Sequence, residues 1–317
     1  MNKQDTSKDM LDIEAAPVDR KTVTDAVLQF YRLLPFNYEQ TPEQTALHIR
    51  ENNAIAAAYP ALDRILKNAR RQPVLDVGCG AGWFVNTVAY HYGLPVVGMD
   101  MCETALDRAR AVTRCLGVEA HIQYLHLDLF QATGPQMRPI REFYVVNSLG
   151  VLHHTHDCRQ ALSGITDLVK PEGFLHVGLY HKYGRKPFLD LFQNHRQAYD
   201  AAGDDSLREE IERRALHLYQ ELNPSVTDPT MLRSWFRDQV LHPRESQHTL
   251  EELYQWLTHD GFDCLSTSLN QFNPAPNWNI LFIQEKEQYE LSYQRNIKEK
   301  KYFPGFFVVL ARKQSQS

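Results

Sequence analysis

The stretch VLDVGCGAGWF, residues 74–84, sets Asp76, Gly78, Gly80 and Gly82 at alternate positions after an apolar run. A glycine loop at a strand end lets backbone approach a ligand, and the N–H groups of the following helix then face it. Three ligand classes use such a loop. A phosphate-cradling P-loop needs G-x-x-x-x-G-K-[ST], and no Lys-Ser/Thr pair follows here. The dinucleotide fingerprint G-x-G-x-x-G fails in both frames, because its third glycine falls on Trp83 or on Val85. What stands is D-x-G-x-G-x-G, which suits a nucleoside bearing an amino-acid tail and no pyrophosphate. Asp100 closes the next apolar run, PVVGMDM, at the spacing of an acid that accepts both ribose hydroxyls. It also suits the N-terminal cap of a helix over 103–116, and the two roles are compatible.

The loop resembles the first motif of the class I S-adenosylmethionine-dependent methyltransferases, and the likeness runs over roughly residues 70–182. It implies that Asp76, Gly78, Cys79, Gly80 and Gly82 cradle S-adenosylmethionine, with Asp100 and Met101 at the ribose. The segment LDLF implies Asp128 at the adenine amino group and Leu129 flanking the ring, and NSLGVLHHTHD implies Asn147 and Ser148 under the methionine moiety. Tyr144 departs from the pattern where relatives often carry Asp. The absence of [DN]-P-P-[YF] argues against amide or adenine nitrogens as methyl acceptors.

Methyl transfer from a sulfonium needs alignment more than a dedicated catalytic group. A general base is required only when the acceptor must lose a proton, and histidine suits that at neutral pH. His153, His181 and Tyr180 are the catalytic candidates; Tyr183 and Arg185, in GLYHKYGRKP, are expected to line the acceptor pocket. Tyr31 and Tyr38 belong to an aromatic N-terminal stretch, where a ring face would favour a sulfonium. The stretch FRDQVLHPRESQHT, with His242, Arg244, Glu245 and His248, reads equally as a lid or as a solvated linker. His153, His154, His156 and Cys158 match no zinc spacing, so no metal is expected.

These residues need strands and helices to position them. From residue 73 the chain alternates strand, glycine turn and helix, which predicts a doubly wound, mostly parallel α/β sheet of the Rossmann-like methyltransferase type. Residues 1–22 read as a disordered tail and 23–70 as a helical cover broken around Pro35 and Pro42. Residues 71–317 read as the S-adenosylmethionine-binding domain, with a helical insertion over 183–248 before the last helix and strands. A helix from Cys158 is expected to stop at Pro171-Glu172-Gly173, and Thr249 with Glu252 forms a capping box.

The 317 residues carry a net charge of −5 and five scattered cysteines, without a C-x-x-C pair. That balance disfavours nucleic acid as partner, and the cysteines read as reduced thiols in a cytoplasmic protein. The chain opens without the apolar core of a signal peptide, and no run is long enough to span a membrane. The expected function is therefore methyl transfer from S-adenosylmethionine to a small molecule. Three alternatives stand beside it: intramolecular cyclisation of S-adenosylmethionine with release of methylthioadenosine, as in azetidine-2-carboxylate formation; a non-catalytic S-adenosylmethionine-binding protein; and an RNA methyltransferase. The acceptor, the oligomeric state and the insertion's role are not legible in the sequence.

Overall fold

The computed structural model describes residues 19–39, 41–131, 142–273 and 277–315. Four helices come first: α1 (Arg20–Leu33), α2 (Pro42–Glu51), α3 (Ala54–Ala58) and α4 (Pro60–Lys67). Asp19 caps α1 by accepting from the Thr22 N–H, so the helix starts inside the stretch expected as tail; residues 1–18 lie outside the described residues. Thr41 and Gln44 form a reciprocal cap on α2, with Pro42 at its first position, where a missing N–H costs nothing.

The alternating unit follows: β1 (Val74–Val77), α5 (Trp83–Tyr92), β2 (Val96–Asp100), α6 (Glu103–Leu116), β3 (Ile122–His126), β4 (Phe143–Leu149), α7 (Cys158–Thr166) and β5 (Val169–Tyr180). An insertion of α8 (Lys182–Ala201), α9 (Asp205–Leu222) and α10 (Pro229–Phe236) continues into a π-helical turn at Arg237–Leu241. The chain closes with α11 (Leu250–His259), β6 (Phe262–Thr267), α12 (Trp278–Gln284), α13 (Gln288–Tyr293) and β7 (Phe306–Lys313). The seven strands order as β3-β2-β1-β4-β5-β7-β6, parallel except for β7, which runs against both neighbours.

Burial on both faces explains the near-continuous apolar strands. Leu75, Val77, Val146 and Val177 pack with α7 and α11 on one face, while Val74, Val96 and Val145 pack with α4, α5 and α6 on the other. The insertion has a cluster of its own, Phe188, Phe192, Tyr219 and Phe236, and Phe30 of α1 packs against it. Cover and insertion therefore meet above the strand ends.

Two expectations change. The helix from Cys158 ends at Thr166, and β5 begins at Val169, before Pro171. The pairing slips from Phe143 opposite Val169 to Val145 opposite Phe174, so residues 170–173 bulge out of the ladder. Pro171 has no N–H to give the ladder and Glu172 takes φ of +60°, which a bulge accommodates. In addition, α12 and α13 fill the stretch between the last two strands, where the sequence reading placed no helix. The Thr249–Glu252 capping box forms as expected.

Candidate functional site

The carboxyl ends of β1, β2 and β4 open into a cavity of about 790 Å³. Gly80 sits on its wall with φ of +51°, and a Cβ built there would meet nothing within 4 Å. The glycine thus holds open the space that a ligand would take. Gly82 does a different job: its Cβ would lie 2.6 Å from Ala109 Cβ, so it permits α6 to pack against the loop, and it does not line the cavity.

Asp100 accepts from two backbone donors, Gly80 N–H to Oδ2 at 2.8 Å and Cys102 N–H to Oδ1 at 2.8 Å. Burial pushes its carboxyl up, opposed by these two hydrogen bonds. Both oxygens belong to a side chain that lines the cavity, so the carboxylate is held rigidly there and also caps the turn into α6.

Asp76 anchors a buried relay. His176 Nδ1–H donates to Asn147 Oδ1 at 2.8 Å, and Asn147 Nδ2–H donates to Asp76 Oδ1 at 2.7 Å. The direction follows because an amide oxygen can only accept, which fixes the orientation of both side chains. Burial raises Asp76 to about 7 despite the Asn147 hydrogen bond, and burial lowers His176 to about 3. The relay presents one carboxylate to the cavity from a dry interior.

At the far side Asp128 pairs with Arg20 of α1 at 3.1 Å, and the Arg20 guanidinium lies over the Phe130 ring at 4.6 Å. Thr24, Val27 and Tyr31 of the same helix line the cavity. Tyr31 donates to Asp238 Oδ1 at 2.6 Å, and the Tyr180 hydroxyl reaches Asp238 Oδ2 at 3.4 Å. Asp238 rides on the π-helical turn after α10, a type of irregularity that re-aims side chains and recurs at functional sites. Burial raises its carboxyl, while His154, Tyr31 and Arg185 work the other way.

His154 completes this chamber. Its Nδ1 lies 2.7 Å from the Arg244 carbonyl oxygen, which can only accept, so Nδ1 carries the hydrogen. In the neutral ring the lone pair is then on Nε2. That atom is buried, has no hydrogen-bond partner among the described residues, and sits 4.0 Å from Asp238 Oδ1. The His242 ring packs on His154 at 3.7 Å between centroids.

Asp76, Gly78, Cys79, Gly80, Asp100, Met101, Asp128, Leu129 and Asn147 line the cavity, as do Tyr31 and Tyr180. Ser148 does not; it is fully buried and points its hydroxyl at the Val77 carbonyl, 3.4 Å away. Tyr38 lies under the Arg108 guanidinium at 4.5 Å and outside the lining.

The placement of His153, His181, Tyr183 and Arg185 departs from the sequence reading, since none of them lines the cavity. His153 is buried behind it, its Nδ1 accepting from Tyr180 N–H at 3.3 Å, and burial drives its ring well below the usual histidine range. His181 caps α8: Nδ1 accepts from Gly184 N–H at 3.2 Å and Nε2 reaches Glu285 at 2.9 Å. Both ring nitrogens are engaged, so His181 offers no free lone pair. Tyr183 is half-buried beside it, with ring centroids 5.7 Å apart. Arg185 has no exposed surface; it binds Glu245 at 2.7 Å, the carbonyls of Pro304 and Gln239, and lies 3.7 Å above the Tyr180 ring. Although burial alone would lower it, Tyr180 and Glu245 hold it charged more firmly than usual. These four residues support the wall from behind.

Asp238 is the chamber residue that the sequence does not single out, and His154 stands there only as one of three neighbouring histidines. Asp238 lies inside the polar stretch 236–249, where the histidines and arginines draw attention, and a lone Asp carries no spacing signal. Among the described residues no three His, Cys, Asp or Glu side chains group to hold a metal, and no helix is long and apolar enough to cross a membrane.

A parallel sheet with a reversed seventh strand, a glycine loop after β1 and an acid ending β2 define a doubly wound α/β protein with its crevice at the strand ends. Comparison with known proteins narrows this. A sequence family described as a methyltransferase domain matches residues 75–177. An uncharacterised protein of Synechococcus sp. is 24% identical over 258 residues, covering 78% of this chain and 60% of that protein. A ubiquinone biosynthesis O-methyltransferase of Saccharophagus degradans is 30% identical over 166 residues, covering 52% of this chain and 64% of the relative. The chain thus spans less than two thirds of either relative. The solved structure of PKMT2 from Rickettsia typhi in complex with AdoHcy shares the fold, at a TM-score of 0.54 and 14% identity, covering 83% of this chain and 54% of that one. Residues 75–177 thus belong to a methyltransferase-domain family, and the likeness to the class I S-adenosylmethionine-dependent methyltransferases rests on that segment and on the shared fold.

Proposed function

We propose that this protein transfers a methyl group from S-adenosylmethionine to a small-molecule acceptor by in-line displacement. The observation that carries this reading is a single cavity of about 790 Å³, within the range of roughly 300–1,000 Å³ usual for small-molecule sites, that joins the glycine loop to the Tyr31–Asp238–Tyr180 chamber. The residues present fit the cofactor. Gly80 leaves open space beside its backbone, Asp100 offers a fixed carboxylate to ribose hydroxyls, and Asp76 offers one to an ammonium. Asp128 and Leu129 are assigned to adenine, which requires Asp128 to share or release Arg20.

When bound, S-adenosylmethionine supplies a methyl carbon whose bond to sulfur breaks as the acceptor's lone pair attacks, the sulfur keeping the electron pair. The chain's own residues align and deprotonate. The helix α1 and the turn after α10 flank the chamber on two sides, joined by the Tyr31–Asp238 hydrogen bond. His154 Nε2 takes the acceptor's proton, with the Arg244 carbonyl holding the ring in the tautomer that leaves this nitrogen free.

Incubation of the protein with S-adenosylmethionine and cell extract, followed by mass spectrometry of the nucleoside product, tests the reading. S-adenosylhomocysteine is expected. Methylthioadenosine, or no consumption of the cofactor, would overturn it.

A further inference from the structure

The acceptor chamber shows which charge it takes. Five carboxylates line the cavity, Glu39, Asp76, Asp100, Asp128 and Asp238, and among the described residues no lysine or arginine does. Four of the five have work away from the chamber: Glu39 pairs with His48 at 2.5 Å, and Asp76, Asp100 and Asp128 face the cofactor in the assignment above. Asp238 is left. The nearest cation by sequence reading, Arg185, is turned away behind the Tyr180 ring and bound to Glu245.

An anionic acceptor would lose its hydration in this chamber without gaining a counter-charge, which costs heavily. A cation meets the opposite surroundings. Asp238 supplies a buried carboxylate, and Tyr31, Trp235, Tyr302 and Phe306 line the same cavity with aromatic rings, whose quadrupoles attract cations. An independent feature points to a ligand in the same place. His154 Nε2 is an acceptor without a partner among the described residues, on a side chain 4% exposed that lines this chamber 4.0 Å from Asp238. A carboxylate and a lone pair at that separation can both be served by one group carrying two N–H bonds.

Resting on the methyl-transfer reading, we infer that the acceptor is a primary or secondary amine, bound as its ammonium between Asp238 and the aromatic faces and deprotonated by His154. One N–H donates to Asp238 and a second to His154 Nε2. His154 takes that proton, which frees the nitrogen lone pair for attack, and the proton then passes to solvent. The methylated amine leaves carrying its own positive charge.

Three probes of one shape and different charge test this: phenethylamine, 2-phenylethanol and phenylacetate, each titrated calorimetrically into the S-adenosylhomocysteine complex. Phenethylamine should bind at least tenfold more tightly than the other two. The Asp238→Asn variant should lose that preference while its S-adenosylhomocysteine affinity stays within threefold, and Tyr31→Phe, which keeps the charge, should retain it. If the alcohol or the acid binds as well as the amine, if none of the three binds, or if Asp238→Asn keeps the preference, the inference falls. Should Asp238→Asn fail to fold, the wild-type order decides alone. The same titrations on the cofactor-free protein separate the two readings: an amine preference without any S-adenosylhomocysteine binding would sink methyl transfer and leave the cation site standing.

Discussion

Asp76→Asn should make the cofactor-free protein more stable while weakening its hold on the cofactor. In the folded chain the Asp76 carboxyl sits at about 7, against 3.8 for a free side chain, with burial as the dominant cause. A folded-state value above the unfolded one means that folding favours the protonated form. Its contribution to stability is full below the unfolded value and is lost as pH rises through about 7. At pH 8.5 the buried ionised carboxylate therefore costs up to about 4 kcal/mol, from three pKa units at about 1.36 kcal/mol each. Asparagine has no charge to bury, and its side-chain oxygen can still accept from Asn147 Nδ2–H. If half of that ceiling is realised, the melting temperature should rise by roughly 3 °C, taking about 1.5 °C per kcal/mol for a chain of this length. The gain should shrink to under half at pH 5, where the wild-type carboxyl is mostly protonated. Thermal unfolding of both proteins without cofactor, at pH 5 and 8.5, reads this directly. A variant that is destabilised equally at both values would refute the reasoning, because the cost would then come from packing and not from a buried charge.

Five further substitutions separate the cofactor site, the base and the supporting wall. Asp100→Ala should weaken S-adenosylhomocysteine binding by about 1–3 kcal/mol by calorimetry, since the ribose hydroxyls and two backbone N–H groups lose their acceptor. His154→Ala should lower kcat by roughly 10²–10⁴-fold with S-adenosylhomocysteine affinity within threefold, whereas a matching loss in His153→Ala at unchanged stability would move the base to that residue. Arg185→Met should cost about 3–5 kcal/mol in urea unfolding, because Glu245 is left without its partner in a mostly dry wall. Adding Glu245→Leu should restore part of that loss, and a lack of any recovery would show that the ion pair is not what Arg185 stabilises.

Local signals carried most of the fold. Glycines ending strands, apolar runs of strand length and helices of 10–15 residues each announce themselves within a short window, so the order of β1 to β5 was legible. The bulge at 170–173 was not, because its cause is a pairing between β4 and β5 that no single segment encodes. The loop residues and Asp100 were legible for the same reason as the strands: their spacing is set by one strand–turn–helix unit. The acceptor side is assembled from α1, the ends of β4 and β5, and the turn after α10, which are far apart in sequence. Tyr31 and Asp238 stand 207 positions apart and meet at 2.6 Å. Arg185 and His181 look available in sequence, being polar residues just past a strand end. The insertion, through Gly184, Gln239 and Glu245, and the segment between β6 and β7, through Glu285 and the Pro304 carbonyl, together engage every nitrogen of both. Of the VLHH pair, only packing distinguishes His154, which lines the chamber, from His153 behind it.

The central claim is that one cavity serves both the cofactor and the acceptor, and a crystal structure of the S-adenosylhomocysteine complex tests it most directly. The ribose hydroxyls should lie within hydrogen-bond distance of Asp100, with the adenine between Leu129 and the α1 side of the cavity. The sulfur should face the chamber formed by Tyr31, Tyr180, Asp238 and His154. A sulfur directed away from that chamber, or a ligand seated elsewhere on the chain, would contradict it.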